Sequence, residues 1–434
     1  METYSTFEYA EVKYEIIEDQ DKERADLENG KLYLSERSVS YLERLNVAEV
    51  LRNRIKFQNY VGVISFKDLK LEILPKFTKT GERLVEAKSV NNRERILLNL
   101  VKMLEFSGWA GIKSTDLTHL GLGNDFFEIY VNLFARNLLN LLKTNRDASY
   151  IRVSDDLRFV KGRINLRKYS NPARMHKIPC EYYERSMDTT INRTLKYVSY
   201  LLLRKVNSVE NRRLLRNILA ILDPVQLAPI RISEVERIVF NRLNSCFEPY
   251  VNFCKVFLRD SVLSLQGSDV EFFSFLIPME ALFERFIARA IEEVVGGKYE
   301  VNVQTMIGHL AIRYGKKMFA LVPDVVLVKD GGCCIVIDTK YKLLDPEDRK
   351  LGVSQQDLYQ MYAYCKELGS SKCTLLYPEG INGEINADFK LGKEKIDLHV
   401  RTISLENPFD GNKLSNEFKN RLLEILALEQ KIKQ

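Results

Sequence analysis

The residues best placed to do chemistry stand in one stretch, residues 321–340, which reads Leu-Val-Pro-Asp-Val-Val-Leu-Val-Lys-Asp-Gly-Gly-Cys-Cys-Ile-Val-Ile-Asp-Thr-Lys. Two apolar runs rich in β-formers flank Asp330-Gly331-Gly332, a hairpin signal. Each run carries an acid at the end far from the turn, Asp324 on the first and Asp338 on the second. Side chains alternate along a strand, so Asp338 and Lys340 project from one face while Ile335, Ile337 and Thr339 project from the other. A three-residue loop would set Asp324 directly opposite Asp338. Cross-strand neighbours have Cβ atoms about 5 Å apart, and two carboxylates that close repel each other unless a cation lies between them. Charge at the end of strands buried on both faces costs free energy unless it has a partner. Oxygen ligands completed by water suit Mg²⁺ or Mn²⁺. The competing reading is structural, because an exposed Asp–Lys pair on a sheet is ordinary decoration worth under about 1 kcal/mol.

The elements that must position these groups are legible around them. Pro278 opens a helix whose apolar face is Phe283, Phe286, Ile287, Ala290, Ile291 and Val294, and Gly296-Gly297 stops it. Strands are expected at 299–305, near Ala311, at 320–328 and at 333–341. Ser354 and Asp357 form an S-x-x-D start for a helix through Leu368, and 373–377 is a last strand. Upstream, residues 1–78 read as β-rich, with strands at 9–17, 31–34, 60–65 and 69–74 closed by Pro75. The period then turns helical, with one stripe at Ile96, Leu97, Leu100, Val101 and Leu104 and another from Phe127 to Leu142. Between them lies a loop, 106–124, holding Trp109 and Lys113. Loops of that length in compact domains are functional or disordered, so this one is a candidate partner contact, the alternative being a buried Trp109 that plugs the helical domain. Residues 188–220 and 233–258 are again helical. The expected architecture is multidomain α+β: a β-rich domain at 1–78, a mainly helical DNA- or partner-contact domain at 79–270, and an α/β domain at 271–434.

Composition narrows the function classes. The chain has 434 residues, 45% of them hydrophobic and 29% charged, with 11 Pro and 21 Gly, which excludes a disordered or fibrous protein. No apolar run approaches the roughly 20 residues of a membrane span. The first 28 residues hold ten acids and three bases, the reverse of a targeting segment, so a cytoplasmic location is expected. Seven cysteines without a C-x-x-C pair and four scattered histidines give neither a disulfide framework nor a usual zinc site, and the cysteines read as reduced core residues. No G-x-x-x-x-G-K-[ST] loop occurs, so nucleotide energy must come from another chain. The net charge of +6 is small, yet residues 146–177 hold nine bases against three acids. Arg158, Lys161, Arg163, Arg167 and Lys168, interleaved with tyrosines, suit phosphate contacts to double-stranded DNA. A solvated face with local ion pairs is the equal alternative.

Pro323-Asp324 followed by Asp338-Thr339-Lys340 resembles the PD-(D/E)xK nuclease motif, and Gln360-Met-Tyr-Ala-Tyr364 is similar to the Q-x-x-x-Y element of its RecB-like branch. Further blocks resemble the McrC family, the nuclease subunit of modified-cytosine restriction systems. They are Val61-Gly62-Val63-Ile64 with Glu72-Ile-Leu-Pro-Lys76, Lys161-Gly162-Arg163-Ile164, Asn192-Arg193-Thr194-Leu195-Lys196, Leu282-Phe283-Glu284 and Asp357-Leu-Tyr-Gln360. The likeness runs in order from about residue 60 to 378. It implies a restriction-endonuclease-like fold for 271–434 and a Mg²⁺-dependent DNA endonuclease. Asp324 and Asp338 would be metal ligands, the Thr339 carbonyl a third, and Glu284 a helical acid reaching the metal directly or through water, with Glu280 as its rival. Lys340 would orient the attacking water, and Gln360 and Tyr364, four apart on one helical face, would position the scissile strand. The resemblance also implies an AAA+ GTPase partner of McrB type, stimulated through an inserted finger, and pairing of two nuclease subunits. The alternatives are a non-catalytic bridge that activates a GTPase and a stand-alone RecB-like repair nuclease.

Overall fold

The computed structural model describes residues 2–18, 21–45, 47–76, 90–108, 126–169, 177–265, 273–380, 383–393 and 395–426. Trp109 and Lys113 lie outside the described residues. The chain divides into two units, one of Met1–Trp109, Ser114–Phe127 and Ser264–Gln434, the other of Ala110–Lys113 and Glu128–Leu263. The expected blocks 1–78 and 271–434 therefore share a unit instead of standing apart. The physical reason is a strand pairing that no local pattern announces: Phe273–Pro278 runs antiparallel to Tyr60–Ser65, in a four-stranded sheet with Leu69–Leu74 and Glu2–Phe7. Gly62 permits this pairing, since it takes φ 140° and a Cβ there would lie 2.0 Å from the Phe275 carbonyl oxygen.

A five-stranded sheet built from Arg24–Asp26, Lys31–Ser35, Glu11–Ile17, Arg54–Phe57 and Ala48–Leu51 lies in the chain between Glu2–Phe7 and Tyr60–Ser65, with the helix Glu36–Leu45 against its core of Leu32, Leu34, Leu42, Ile55 and Phe57. Glu72, in the middle of the four-stranded sheet, is fully buried. It accepts two hydrogen bonds from the Arg93 guanidinium at 2.8 Å, one from Ser5 Oγ and one from the Phe126 amide, which compensates a charge that would otherwise be prohibitively desolvated.

The sheet that carries the candidate site has six strands in the order Glu300–Val303, Val325–Lys329, Gly332–Thr339, Lys372–Pro378, Ile396–Ile403, Asn386–Leu391. Gly332–Thr339 and Lys372–Pro378 are parallel, which requires a crossover, and the helix Gln355–Leu368 supplies it. The expected helix start is present: Ser354 Oγ accepts from the Asp357 amide at 3.1 Å, Asp357 accepts back from the Ser354 amide, and Gly369 ends the helix at φ 64°. The helix Met279–Val295 packs on Gly332–Thr339 and ends at Gly296, as the glycine pair foretold.

The second unit holds the helices Thr190–Leu203, Val209–Ile221 and Ile232–Glu236 and most of Phe126–Thr144 and Glu248–Leu265. It also holds a three-stranded sheet, Arg163–Ile164, Ile178–Ser186 and Ser149–Leu157, within a block read as mainly helical. The strand Ser149–Leu157 is exposed along most of its length and Ile178–Ser186 buries only Pro179 and Cys180, which are adjacent, so no buried face imposed an alternating pattern on the sequence. Asn192, Lys196 and Gly162, from two of the recognisable blocks, hold the fold together here. Asn192 is fully buried and donates to the carbonyls of Asp147 and Met187, and Lys196 Nζ donates to those of Asp223 and Val225. Gly162 adopts φ 72°, and a Cβ there would lie 2.5 Å from the Glu181 carbonyl oxygen. Among the described cysteines four are buried and free, while Cys246 is exposed, contrary to the all-core expectation. No helix of the described residues is long and apolar enough to cross a membrane.

Candidate active site

The hairpin forms, with a different turn from the expected one. Asp330 and Gly331 take φ 52° and 79°, a two-residue connection of the type that matches strand twist, and Lys329 faces Gly332. A bulge between Leu327 and Val328 then shifts the ladder by one residue, and Leu327, Val326 and Val325 face Ile335, Val336 and Ile337. The bulge thus restores the register that a three-residue loop would have given. Asp324 stands one position before the first paired residue, next in line to Asp338. The anticipated strand 320–328 is broken at 322–324, where Pro323 cannot donate to a ladder, so Lys316–Leu321 and Val325–Lys329 are separate strands.

At the end of the hairpin the Asp324 carboxylate is held by Thr339, whose backbone N–H and Oγ both donate to Oδ2 at 2.7 Å. Thr339 therefore meets Asp324 through its donors. Asp338 is 1% exposed, and Lys340 Nζ lies 2.7 Å from its Oδ2. That contact is an ion pair without hydrogen-bond alignment, and Oδ2 has no hydrogen-bond donor among the described residues. From Lys340 a chain of hydrogen bonds leads outward: Nζ donates to Gln360 Oε1 at 3.1 Å, Gln360 Nε2 to the Tyr364 hydroxyl at 2.7 Å, and that hydroxyl to the Val322 carbonyl at 3.0 Å. Gln360 and Tyr364, placed together by their spacing of four, thus serve the lysine. Tyr364 is at the same time a member of the core beside Met361 and Val336.

Electrostatics distinguishes the two helical acids. Burial, then the charge of Asp324, lifts the Asp338 carboxyl to about 6 against the pull of Lys340. Burial lifts Glu284 to about 7, with the charges of Asp324 and Asp338 adding to it and a hydrogen bond from the Gln304 amide opposing. Burial disfavours the Lys340 ammonium, but the Asp338 carboxylate beside it more than offsets this and the lysine stays protonated well above neutrality. Glu284 thus belongs to the same field as the two aspartates, whereas Glu280 is exposed and faces Tyr9. Gln304 is a residue that sequence reasoning missed. It adopts φ 45°, its side chain donates to Glu284 Oε1, and its N–H donates to the Asp324 carbonyl at 2.9 Å. A lone glutamine between strands carries no signal of this in the sequence.

Among the described residues no group of three or more His, Cys, Asp or Glu side chains could hold a metal ion by itself. The oxygen donors nevertheless fit a hard divalent cation of Mg²⁺ type, which is commonly held by one or two carboxylates and keeps several waters. The unaligned buried oxygen of Asp338, and the burial and Asp324 charge that raise Asp338 and Glu284, are what such an ion would offset.

The basic residues occupy the second unit. Arg158 and Arg163, with Arg167 and Lys168 on the short helix Leu166–Tyr169, are exposed around the three-stranded sheet, beside exposed Tyr169 and Tyr183. Lys161 is committed internally, 3.9 Å over the Tyr182 ring and 3.5 Å from Glu184.

The family described as McrBC 5-methylcytosine restriction system component matches residues 55–378. No curated protein matches the chain. Two solved structures from Thermococcus gammatolerans are similar. One is a refined half-complex from a tetradecameric assembly of McrB AAA+ hexamers with bound McrC, 20% identical, covering 98% of this chain and 99% of that one at a TM-score of 0.67. The other is a cryo-EM structure of the McrBC complex, 23% identical, covering 68% and 88% at a TM-score of 0.50. With three quarters of its length inside the family match, the chain belongs to the McrBC 5-methylcytosine restriction system component family.

Proposed function

We propose that the chain is the Mg²⁺-dependent DNA endonuclease subunit of an McrBC-like restriction system and acts with an AAA+ GTPase partner. The observation that carries this reading is the hairpin register that sets Asp324 next in line to Asp338, with Lys340 Nζ 2.7 Å from Asp338 and Glu284 within the electrostatic field of both aspartates. Asp324, Asp338 and Glu284 would hold the cation, Mn²⁺ substituting for Mg²⁺. When bound, such an ion lowers the pKa of a coordinated water and offsets charge developing on phosphorus.

The protein groups divide the remaining work. Thr339 fixes the Asp324 carboxylate through two short hydrogen bonds, so its orientation is preset. Lys340, kept charged by Asp338, places a cation where a scissile phosphate and its attacking water would lie. Gln360 and Tyr364 hold that ammonium through the chain that ends on the Val322 carbonyl. Buried strands on both sides keep the charges from rearranging, which is the condition for electrostatic preorganisation.

The similarity to a McrB-bound structure supports the AAA+ partner. Intact Asp324, Asp338 and Lys340 favour catalysis over a purely bridging role. Asp338→Ala should abolish DNA cleavage in the presence of partner, GTP and Mg²⁺ while leaving partner binding and GTPase stimulation unchanged. Cleavage at the wild-type rate would remove the assignment, and vigorous cutting without any partner would point to a stand-alone nuclease.

A further inference from the structure

Between the helical acid and the first aspartate the chain makes an excursion that the catalytic cluster does not use. Gly308–Arg313 and Lys316–Leu321 form a two-stranded antiparallel hairpin that joins no other strand among the described residues. Tyr314 and Gly315, at φ 50° and 73°, make its turn, and His309 faces Ala320, Ala311 faces Met318, Ile312 faces Lys317 and Arg313 faces Lys316. Residues 310–320 are all exposed, including Leu310 at 65%, Ile312 at 71%, Tyr314 at 91% and Phe319 at 68%. A free two-stranded ribbon is marginal in water, and contiguous exposed apolar side chains mark a binding surface.

Its root is tied to the candidate site at both ends. The incoming arm begins four residues after Gln304, which bonds Glu284, and the outgoing arm ends three residues before Asp324. The Ile307 amide closes the root on the Leu321 carbonyl at 2.9 Å, and Ile307 and Leu321 pack into the core of the six-stranded sheet. Residues 301–323 contain no acid, while Arg313, Lys316 and Lys317 cluster at the tip. An apolar, cationic ribbon is complementary to a polyanion with apolar base edges, and the major groove of duplex DNA admits a two-stranded β-ribbon.

We infer that this hairpin is a DNA-docking ribbon that enters a groove of the duplex beside the scissile phosphate. Arg313, Lys316 and Lys317 contact backbone phosphates, and Leu310 and Ile312 contact base or sugar edges. The inference rests on the nuclease reading for the identity of its ligand and is tested apart from it.

The experiment is fluorescence anisotropy of a labelled 30-base-pair duplex with the full chain in EDTA over a range of salt. Arg313→Ala/Lys316→Ala/Lys317→Ala should weaken binding at least tenfold and flatten the slope of log affinity against log salt by about 2 to 3, since each phosphate contact contributes about 0.9. Leu310→Ser/Ile312→Ser should weaken binding without changing the slope. All these side chains are exposed, and unchanged circular dichroism checks the fold. Wild-type affinity in both variants, or no binding by the wild type at low salt, would overturn the inference. So would unchanged DNA binding with loss of a sedimenting dimer, which would assign the ribbon to a second copy. Asp338→Ala separates the two readings. Hairpin-dependent binding without Mg²⁺-dependent cleavage by the wild-type chain with its partner leaves the ribbon standing and removes the nuclease, and cleavage indifferent to the hairpin variants does the reverse.

Discussion

Replacing Asp338 by asparagine separates what the site costs from what it does. In the ion-free protein, burial and the Asp324 charge lift this carboxyl from 3.8 to about 6. Each pH unit between the folded and unfolded values is worth about 1.4 kcal/mol, so ionised Asp338 costs the fold on the order of 3 kcal/mol at pH 8. Because the folded value is the higher one, the protonated group's contribution is intact below about pH 4 and is lost as pH rises through about 6. Asparagine keeps the shape without the charge. It deprives Lys340 of its partner at 2.7 Å but leaves the bond to Gln360, so the net gain should be about 1–2 kcal/mol and a melting temperature a few degrees higher. In EDTA, Asp338→Asn should therefore melt above the wild type at pH 8 and with it at pH 4, while cleavage is lost. Mg²⁺ at pH 8 should raise the wild-type melting temperature by mass action and move the variant much less. Scanning fluorimetry across pH, with and without Mg²⁺, measures all of this. A variant that melts below the wild type at pH 8 in EDTA, or equal stabilisation of both proteins by Mg²⁺, would refute the reasoning.

The other expectations concern the groups around it. Lys340→Ala should lower the cleavage rate by about 100-fold or more, and Gln360→Ala by about tenfold through kcat with KM unchanged, in single-turnover assays; equal and large effects on KM would make both mere DNA contacts. Thr339→Val removes the hydroxyl donor to Asp324 and should weaken divalent-ion affinity about tenfold by calorimetry, an unchanged affinity counting against Asp324 as ligand. Glu8 is buried and accepts hydrogen bonds from the hydroxyl of Tyr341, the residue after Lys340, and, at 3.0 Å, from the Lys76 amide. Tyr341→Phe should cost about 1–3 kcal/mol in chemical denaturation, and a neutral result would show that Glu8 is satisfied without it. In the second unit, Arg163→Ala with Arg167→Ala should reduce the salt dependence of DNA association, and an unchanged slope would return these residues to a solvated surface.

What could be read from the sequence was whatever has a short-range cause. The strands Tyr60–Ser65 and Leu69–Leu74, the capped helix Gln355–Leu368 and the Asp324–Asp338 hairpin announce themselves through period, capping residues and a glycine turn. The register survived an incorrect loop length only because the bulge after Leu327 compensated for it, and a bulge has no sequence signature of its own. Long-range pairing was invisible: nothing local in Phe273–Pro278 names Tyr60–Ser65 as its neighbour. The strand Ser149–Leu157 escaped notice because exposure on both faces leaves no alternation to detect. In the site, Asp324, Asp338 and Lys340 were legible because charge interrupts apolar strands there, and Gln304 was not, because a polar residue in a polar connection contrasts with nothing.

The pairing that the sequence hid also sets the geometry of the site. Pro278 ends a strand hydrogen-bonded to Tyr60–Ser65, and the next residue, Met279, begins the helix that carries Glu284 and donates its amide to the Asn59 carbonyl at 2.8 Å. The start of that helix, and with it the position of Glu284, is therefore fixed by the N-terminal sheet. Asp338, Thr339 and Lys340 are fixed independently, at the carboxyl end of a strand whose Ile335, Val336 and Ile337 are buried and whose neighbour Lys372–Pro378 runs parallel to it. A strand buried on both faces tolerates charge only where the ladder ends, and in open α/β sheets the carboxyl ends of parallel strands are where ligands bind. Glu284 thus feels the charges of Asp324 and Asp338 although its helix and their strands take their registers from separate sheets. A one-residue slip between Val325–Lys329 and Gly332–Thr339 would take Asp324 out of line with Asp338.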